Sequence, residues 1–512
     1  MVRLNSIQVL RAVAALVVVV FHFNAVERYL GGKVEVPFFS LFYFFGYGGV
    51  NLFFVISGFI ITWVHYRELG DSGRGLSYLR KRLVRLFPVY LAVWLAAALI
   101  SYSLLRDDYC VEPGVFWHLA QTASLALGVE NCFVPQAWSL SWELLFYCVF
   151  FGFFFVRKEA FIPALLLWAV SILLAHGAGL YVKGYAILSP LNLQFIGGCM
   201  VGILALRGET RFARLALAAG LAWVTISIVL NAAGQMSVDL DWHRVAQYGA
   251  GSTLIVYGLV AMELRAGEMR YPKWLIELGN ASYSIYLTHL TYFLVVRRLF
   301  DGLTHSPGNH AIYAVALIIG ATLTGWLVYR LVERPMLAAF RGVHGNWQSI
   351  GYVGAGLAAS IIAASLITRS YDQIVPPAEA LELPAGTVEG EGSDTKLLID
   401  GAMLKVLPER QGWVSSFQVA GSSLSISGWA LDRERSRTAL AVAVFVDGNL
   451  VEGQAPVYQF RAVEGGVKFV DGHRPGFKFE IQNALGRDVR LFAILPDGRA
   501  GELYYPDDFR QR

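Results

Sequence analysis

The chain has little charge for its length. Only 16% of its 512 residues are charged, against about 25% in a typical soluble protein, and 56% are hydrophobic. The deficit lies almost entirely before residue 369, so the sequence predicts a membrane part followed by a soluble tail. The formal net charge is only +4, and Lys and Arg gather at the ends of apolar runs, which argues against a nucleic-acid partner.

No cleavable signal peptide is evident in the sequence either. The apolar run that begins at Ile7 is too long for one and lacks a small-residue cleavage site, so we expect an uncleaved first span. Cysteine is scarce, with four residues in all. Cys110 and Cys132 fall in one predicted outer loop, where they are either two free thiols or a disulfide contributing roughly 3 kcal/mol in an oxidising compartment.

Long apolar runs are abundant. Stretches of about 20 residues, enough to cross a bilayer, begin near residues 7, 46, 86, 138, 160, 186, 212, 245, 280, 311 and 349. Lys and Arg concentrate in alternate loops in a way that predicts a cytoplasmic N-terminus. We therefore expect an α-helical polytopic membrane protein with a core over residues 5–342 and an eleventh span over 348–369. An odd number of spans places the tail outside the cytoplasm.

The tail has a different composition. Residues 374–394 are rich in Pro, Gly and Glu and predict a flexible linker. Short segments at 424–429, 440–446, 476–481 and 489–495, separated by turn signals, then predict an antiparallel β-sandwich over residues 395–512.

Two ionisable residues lie within the first span. Arg11 and His22 are separated by ten apolar residues. In a helix they share one face to within roughly 20° and lie about 16 Å apart along the axis, with Arg11 nearer the cytoplasm. Ionisable residues are costly inside a bilayer and usually serve a function. The alternative is an arginine that extends to the membrane surface and a histidine bonded to a neighbouring backbone.

Glu143 is a second intramembrane charge. It follows Trp138, Ser139 and Ser141 in a span that enters from the outside, which places it near the depth of His22. A carboxylate beside an imidazole would fix its tautomer and raise its basicity, as a general base requires. The alternative is a buried carboxylate bonded to the serines.

A basic cluster precedes the third span. Arg80, Lys81, Arg82 and Arg85 lie at the membrane level of Arg11 and could bind phosphates through fork-shaped donors, or could simply mark the cytoplasmic side. A phosphate-rich donor held there would need an arm of roughly 16 Å to reach His22, which suits coenzyme A.

Together these motifs resemble the acyltransferase 3 family of membrane acyltransferases. The resemblance covers about residues 5–340 in order, through Arg11-x10-His22, 53–59, 78–88, 138–143, 192–202 and 279–289. It implies a ten-span core that transfers an acyl group, usually acetyl, from cytoplasmic acyl-CoA to a glycan hydroxyl. It also implies that His22 is the base and that Arg11 is essential.

We accordingly predict an acyl-CoA-dependent O-acyltransferase of the bacterial inner membrane that acts on a surface polysaccharide or its lipid-linked precursor. His22 and Glu143 are the expected catalytic residues. Arg11, Arg80, Lys81, Arg82 and Arg85 would bind acyl-CoA, and no metal is expected. Substrate or structural support is expected from Ser57, Trp138, Ser139, Ser141, Tyr286 and His289, for some of which helix packing is the simpler role.

Several alternatives stay open. Transfer could be direct or pass through an acyl-enzyme, since serines lie nearby. A proton-coupled transporter or flippase would also use intramembrane His and Glu, and a membrane-anchored scaffold would use the tail to bind glycans. The tail, periplasmic by this topology, lacks a Gly-Asp-Ser motif, so we expect an accessory domain without a second catalytic centre. Apart from the acceptor and membrane lipids, the sequence indicates no partner and assigns no oligomeric state.

Overall fold

A computed structural model describes most of the chain. The described residues are 4–29, 37–101, 115–129, 131, 133–178, 186–233, 241–267, 269–300, 307–342, 345–374, 385–390, 394–408, 410–420, 423–432, 437–454, 476–482, 484, 486–495 and 497–505. Most of the chain up to Leu366 forms a compact helical unit, and the residues from Ile367 onward belong to a second unit that is rich in β-strands.

The described residues contain fourteen α-helices. They are α1 (Asn5–Tyr29), α2 (Pro37–His65), α3 (Ser72–Ile100), α4 (Val115–Ala123), α5 (Trp138–Gly152), α6 (Phe161–Gly177), α7 (Asn192–Leu206), α8 (Ala213–Ala232), α9 (Asp241–Arg244), α10 (Ala250–Ala266), α11 (Lys273–Phe300), α12 (Pro307–Val328), α13 (Arg334–Gly342) and α14 (Asn346–Ile374). Two five-residue π-helical segments, Val245–Gly249 and Tyr329–Glu333, join α9 to α10 and α12 to α13. Such segments occur often at functional sites.

Each predicted span coincides with a helix. Within the described residues, eight stretches are long and apolar enough to cross a bilayer: Asn5–Ala25, Gly48–Glu68, Ser72–Ile100, Lys158–Gly177, Ala213–Ala232, Trp242–Ala266, Ile312–Arg341 and Asn346–Leu366. The other three predicted spans correspond to α5 and α7, which have 15 residues each, and to α11, which has polar residues along its length. The prediction of a polytopic helical membrane protein is confirmed.

Small residues allow α2 and α7 to pack closely. A Cβ atom added to Gly58 would lie 2.1 Å from the carbonyl oxygen of Phe195, and one added to Gly198 would lie 2.0 Å from that of Val55. Because neither backbone leaves room for a side chain, these glycines set the separation of the two helices. The contact holds α2 in place, and with it the neighbouring Ser57.

The second unit contains eleven strands among the described residues. They are β1 (Gly386–Glu389), β2 (Lys396–Ile399), β3 (Ala402–Leu407), β4 (Gly412–Ala420), β5 (Ser423–Asp432), β6 (Arg437–Thr438), β7 (Ala441–Val446), β8 (Asn449–Gln454), β9 (Gly476–Ile481), β10 (Val489–Ile494) and β11 (Arg499–Glu502). Seven strands close a barrel in the order β1-β2-β3-β11-β10-β7-β8, and β5 pairs with β4, β6 and β9 in a second sheet. The predicted β-rich tail is confirmed.

Strand β7 shows how the barrel and the second sheet pack together. Val442, Val444 and Val446 belong to the core shared with β4, β5 and β9, whereas Ala443 and Phe445 face the barrel interior. Both faces of β7 are therefore buried, which explains why its sequence is continuously apolar instead of alternating. The expected packing of sheet on sheet is present, with one of the two layers closed into a barrel. The pairing is not antiparallel throughout, as the sequence predicted, because β3 and β11 pair in parallel.

The expected flexible linker over residues 374–394 is only partly confirmed. The predicted linker contains a strand, because β1 pairs with β2 and β8 and completes the barrel. Its four residues are too few to show a recognisable alternation.

Cys110 and Cys132 lie outside the described residues, so their disulfide stays a prediction. Cys148 and Cys199 are free thiols.

Candidate active site

A cavity of about 200 Å³ lies within the helical unit. Its walls bring together side chains from α1, α2, α3, α5 and α11, which are far apart in sequence. The polar residues that line it are Arg11, Ser57, Arg82, Arg85, Ser139, Glu143, Tyr147, Ser282, Tyr283 and Tyr286. The remaining lining is apolar, so these polar groups lie in surroundings where charge interactions are strong.

Two of the cavity arginines are held by neighbouring side chains. Arg85 forms an ion pair with Glu333, which is completely buried, and its Cζ lies 5.4 Å from the ring centre of Tyr283. Arg82 places Nη2 3.1 Å from Nε2 of His65. Both guanidinium groups therefore have supports that fix their direction within the cavity.

Donor groups of Arg11 and Arg82 are left without strong protein acceptors. Among the described residues, Arg11 has no ion pair and a single long hydrogen bond, 3.4 Å from Nη1 to Oε1 of Gln8. The Nε atom of Arg82 is buried without a hydrogen-bond partner. Guanidinium groups bind phosphate and carboxylate oxygens through paired N–H donors. The cavity therefore has donors available for an anionic ligand.

The basic cluster of α3 divides between the cavity and other surroundings. Arg80 bonds to Oδ1 of Asn346 at 3.4 Å and to the carbonyl oxygen of Phe340 at 3.3 Å, and Lys81 is exposed. Neither residue lines the cavity. Helical geometry explains this division. Arg82 and Arg85 are three residues apart and share one face of α3, whereas Arg80 and Lys81 lie on other faces.

Glu143 lies among the arginines of the cavity. It accepts hydrogen bonds from Oγ of Ser57 at 2.6 Å and from the hydroxyl of Tyr147 at 2.5 Å. No described contact joins it to His22, so the expected direct support of the imidazole by Glu143 is not present. Equal depth in the bilayer does not determine which way a helix face points, and α5 turns this carboxylate toward α2.

The partner of His22 is another histidine. Nδ1 of His22 lies 3.0 Å from the carbonyl oxygen of Val18 and 3.0 Å from Nε2 of His289. The two ring centres are 4.8 Å apart, and His289 is completely buried. The backbone bond is the one that the simpler interpretation of His22 predicts, but the contact with His289 goes beyond it. His22 itself does not line the cavity.

Tyr286 lies between the cavity and the histidine pair. Its hydroxyl is 2.7 Å from Oγ of Ser139 and donates to the carbonyl oxygen of Gln136 at 2.6 Å. Its ring centre is 6.0 Å from that of His289. Trp138 and Ser141 are outside the cavity lining: Arg244 stacks over the Trp138 ring with Cζ at 5.1 Å, and Ser141 is buried.

The part of the chain from its first residues to just beyond the end of α12 matches one known family. The sequence model described as "Acyltransferase domain", that of the acyltransferase 3 family, matches residues 4–330. This is more than half of the chain. The chain belongs to the acyltransferase 3 family. With its apolar helices, family membership identifies it as a multi-pass membrane acyltransferase, as the sequence motifs predict.

Three curated relatives are similar to the chain over 57% to 70% of its length. The exopolysaccharide production protein ExoZ of Rhizobium meliloti is 30% identical over 57% of this chain and 90% of its own length. "Putative O-acetyltransferase SAR0937" of Staphylococcus aureus is 23% identical over 70% of this chain, which spans 61% of that relative. Acyltransferase MdmB of Streptomyces mycarofaciens is 26% identical over 66% of this chain and 92% of its own length. No solved structure matches the chain.

Two titratable groups that hold the cavity arginines, Glu333 and His65, were not predicted from the sequence. Glu333 pairs with Arg85 and accepts from Oγ of Ser284 at 2.6 Å. His65 is 1% exposed and contacts Glu68 as well as Arg82. Both stand at span ends, where charges look like ordinary surface residues. For Glu333, the available signal in the sequence was its position next to Arg334 at the end of an apolar run. Among the described residues, no group of three or more His, Cys, Asp or Glu could hold a metal ion.

Proposed function

We propose that the chain transfers an acyl group, most simply acetyl, from cytoplasmic acyl-CoA to a hydroxyl of a surface polysaccharide or its lipid-linked precursor in the inner membrane. The names of two relatives support the acceptor and the transferred group: one concerns exopolysaccharide production and the other O-acetyl transfer. The observation that carries the proposal is the cavity in which Arg11 and Arg82 keep donors without strong protein acceptors.

The cavity residues fit a ligand with phosphate groups. Arg11 and Arg82 would donate to phosphate oxygens, and the Glu333 carboxylate would keep Arg85 in place through its ion pair. A phosphate-bearing ligand would also balance the positive charge of groups that lie away from bulk water. The aromatic and aliphatic parts of the lining, such as Phe53 and Ile60, suit a thin uncharged arm.

Helix α1 supports a long donor. It runs unbroken from Asn5 to Tyr29, so Arg11 and His22 are about 16 Å apart along its axis. A pantetheine arm anchored near Arg11 and Arg82 would carry its thioester toward His22. Tyr286 borders both the cavity and the histidine pair and would line that path.

The reaction needs one proton to move twice. Nε2 of His22 accepts the proton of the acceptor hydroxyl, and the hydroxyl oxygen forms a bond to the acyl carbon. The C–S bond breaks, and His22 returns the proton to the departing sulfur, giving the ester and the free thiol of coenzyme A. The described hydrogen bonds of His22 reach Val18 and His289 and no serine, which supports direct transfer over an acyl-enzyme.

The proposal is tested with purified protein in lipid nanodiscs. The protein is supplied with radiolabelled acetyl-CoA and with the surface polysaccharide of the organism that produces it. The wild type should label the acceptor, and His22→Ala should lose transfer by at least a hundredfold while still folding. His118→Ala, a histidine of α4 outside the cavity and the histidine pair, is the matched control and should keep its activity. Transfer by His22→Ala would eliminate the proposed base. Vesicle uptake of the glycan without labelling would instead identify a transporter.

A further inference from the structure

The hydrogen bonds around His22 fix which of its nitrogens carries the proton. The carbonyl oxygen of Val18 can only accept, so the Nδ1 atom 3.0 Å away must be protonated. The same reasoning applies to Nδ1 of His289, which lies 3.1 Å from the carbonyl oxygen of Ile285. Nε2 of neutral His289 is consequently unprotonated and accepts from Nδ1–H of His22 at 3.0 Å. The opposite tautomers would place a nitrogen lone pair against the lone pairs of each carbonyl oxygen, with no proton between them.

This tautomer leaves Nε2 of His22 with its lone pair available. Among the described residues it has no hydrogen-bond partner, since the contacts of His22 with Val18 and His289 are both made by Nδ1. Nε2 is the nitrogen that must accept a proton if His22 acts as a base. The two acceptors on the far side of the ring therefore hold the imidazole in the form that catalysis requires.

We propose that His289 is a positioning residue that holds His22 in its Nδ1–H tautomer and stabilises the imidazolium formed when Nε2 takes the hydroxyl proton. The inference rests on the proposed function. His289 would fill the role that sequence analysis gave to Glu143, with a neutral acceptor in place of a carboxylate.

The surroundings make this acceptor important. The pair lies beside a cluster of buried apolar side chains that includes Val19, Phe23, Ile285 and Phe293. An imidazolium there has little solvent to stabilise it, so each hydrogen bond to its N–H groups matters more than in water. Closeness of the two helices makes the contact possible, since a Cβ atom at Gly279 of α11 would lie 2.0 Å from the carbonyl oxygen of Gln8.

Other titratable groups surround the pair but do not touch His22. Those with described side chains on the elements packed here are Arg11 of α1, His65 of α2, Lys273, Glu277, Tyr283, Tyr286, Tyr292, Arg297 and Arg298 of α11, Tyr313 of α12, and Tyr329, Arg330 and Glu333 of the π segment. All of them stay unchanged when only residue 289 is replaced. A change in the proton affinity of His22 among such variants therefore reports on residue 289.

Three substitutions separate positioning from packing. His289→Phe keeps an aromatic ring but removes the acceptor, His289→Gln keeps an acceptor near the position of Nε2, and His289→Asp adds a negative charge. We expect His289→Phe to lower kcat by about 10- to 100-fold with an unchanged KM for acetyl-CoA, the range expected for one hydrogen bond to a charged group. His289→Gln should recover most of that loss.

The acidic limb of the pH–rate profile gives the sharper readout. It should move to lower pH in His289→Phe, because the imidazolium loses an acceptor, and to higher pH in His289→Asp, because a carboxylate stabilises it. Tyr292→Phe, on the same helix and without described contact to His22, is the matched control and should leave the limb in place. Thermal unfolding verifies that each variant folds.

A second measurement does not depend on catalysis. Diethyl pyrocarbonate modifies unprotonated imidazole nitrogens, and mass spectrometry of the His22 peptide follows the reaction as a function of pH. The midpoint should shift between variants in the same order as the kinetic limb. Equal midpoints in all variants, or equal rate losses in His289→Phe and His289→Gln, would overturn the inference. Absence of acyl transfer by the wild type would overturn the proposed function alone, because the modification experiment still reports on the pair.

Discussion

Ser57 donates a hydrogen bond of 2.6 Å to Glu143 and so joins α2 to α5 at the wall of the arginine-lined cavity. Tyr147, one turn further along α5, donates to the same carboxylate oxygen. The carboxylate is therefore engaged on the cavity side and contributes negative charge among the guanidinium groups. This arrangement separates the two residues that sequence analysis paired as the catalytic centre.

Glu143→Gln should lower the transfer rate about tenfold without moving the acidic limb of the pH–rate profile. An amide loses the charge that strengthens the two hydrogen bonds, which is worth on the order of 1 kcal/mol or more. His22 is unaffected, because no described contact connects it to residue 143. Ser57→Ala and Tyr147→Phe each remove one donor and should have smaller effects of the same kind. A displaced limb in Glu143→Gln would restore the direct pairing of Glu143 with His22.

Arg82→Gln should raise the KM for acetyl-CoA by roughly 10-fold or more, because one fork-shaped donor to the phosphates would be lost. Arg80→Gln is the matched control: it lies two residues earlier on α3, bonds to Asn346 and Phe340 instead, and should leave that KM unchanged. Initial rates at varied acetyl-CoA concentration measure both. Equal increases would indicate that the cluster acts through its net charge and not through the cavity.

Local patterns in the sequence were sufficient to predict individual helices and the residues on their faces. The spacing of Arg11 and His22 depends only on helix geometry, and α1 is indeed continuous between them. The apolar runs, the β-rich tail and the family follow from composition and from short motifs in the same way. Each of these properties is set by residues that are close in sequence.

Contacts between distant segments could not be predicted in this way. His22 meets His289, and Arg85 meets Glu333, only because of how α1, α3, α11 and the π segment at Tyr329–Glu333 pack. The sequence predicted only which residues lie at the same membrane depth as His22. Which of them contacts His22 depends on how each helix is rotated about its axis, and that rotation is set by packing against neighbouring helices. The sequence pattern of a single helix therefore does not show that the partner of His22 is His289 and not Glu143, whereas the packed structure does.

Glu502 links strand β11 to two arginines in the β-rich unit. It accepts from Nε of Arg490 at 3.1 Å and pairs with Nη1 of Arg410 at 2.5 Å. Burial acts to raise the pKa of the Glu502 carboxyl, but the hydrogen bond from Arg490 and the charges of Arg490 and Arg410 outweigh it and hold the pKa below its ordinary value of 4.5. The folded chain therefore binds this proton at lower pH than the unfolded chain does.

It follows that Glu502 stabilises the β-rich unit above about pH 4.5, and that this stabilisation is lost as the pH falls through the lowered pKa of the folded state. Glu502→Gln should reduce the free energy of unfolding at pH 7 by about 3 kcal/mol, because Arg490 stays buried without its charge partner. Calorimetry of the full-length protein between pH 7 and pH 3 should show the difference from wild type shrinking below about pH 4.5. Asp447→Asn removes the exposed pair with Arg487 and tolerates the positive φ of 48°, so its Tm should change far less. A difference between Glu502→Gln and wild type that is the same at every pH would show that the carboxylate charge makes no contribution.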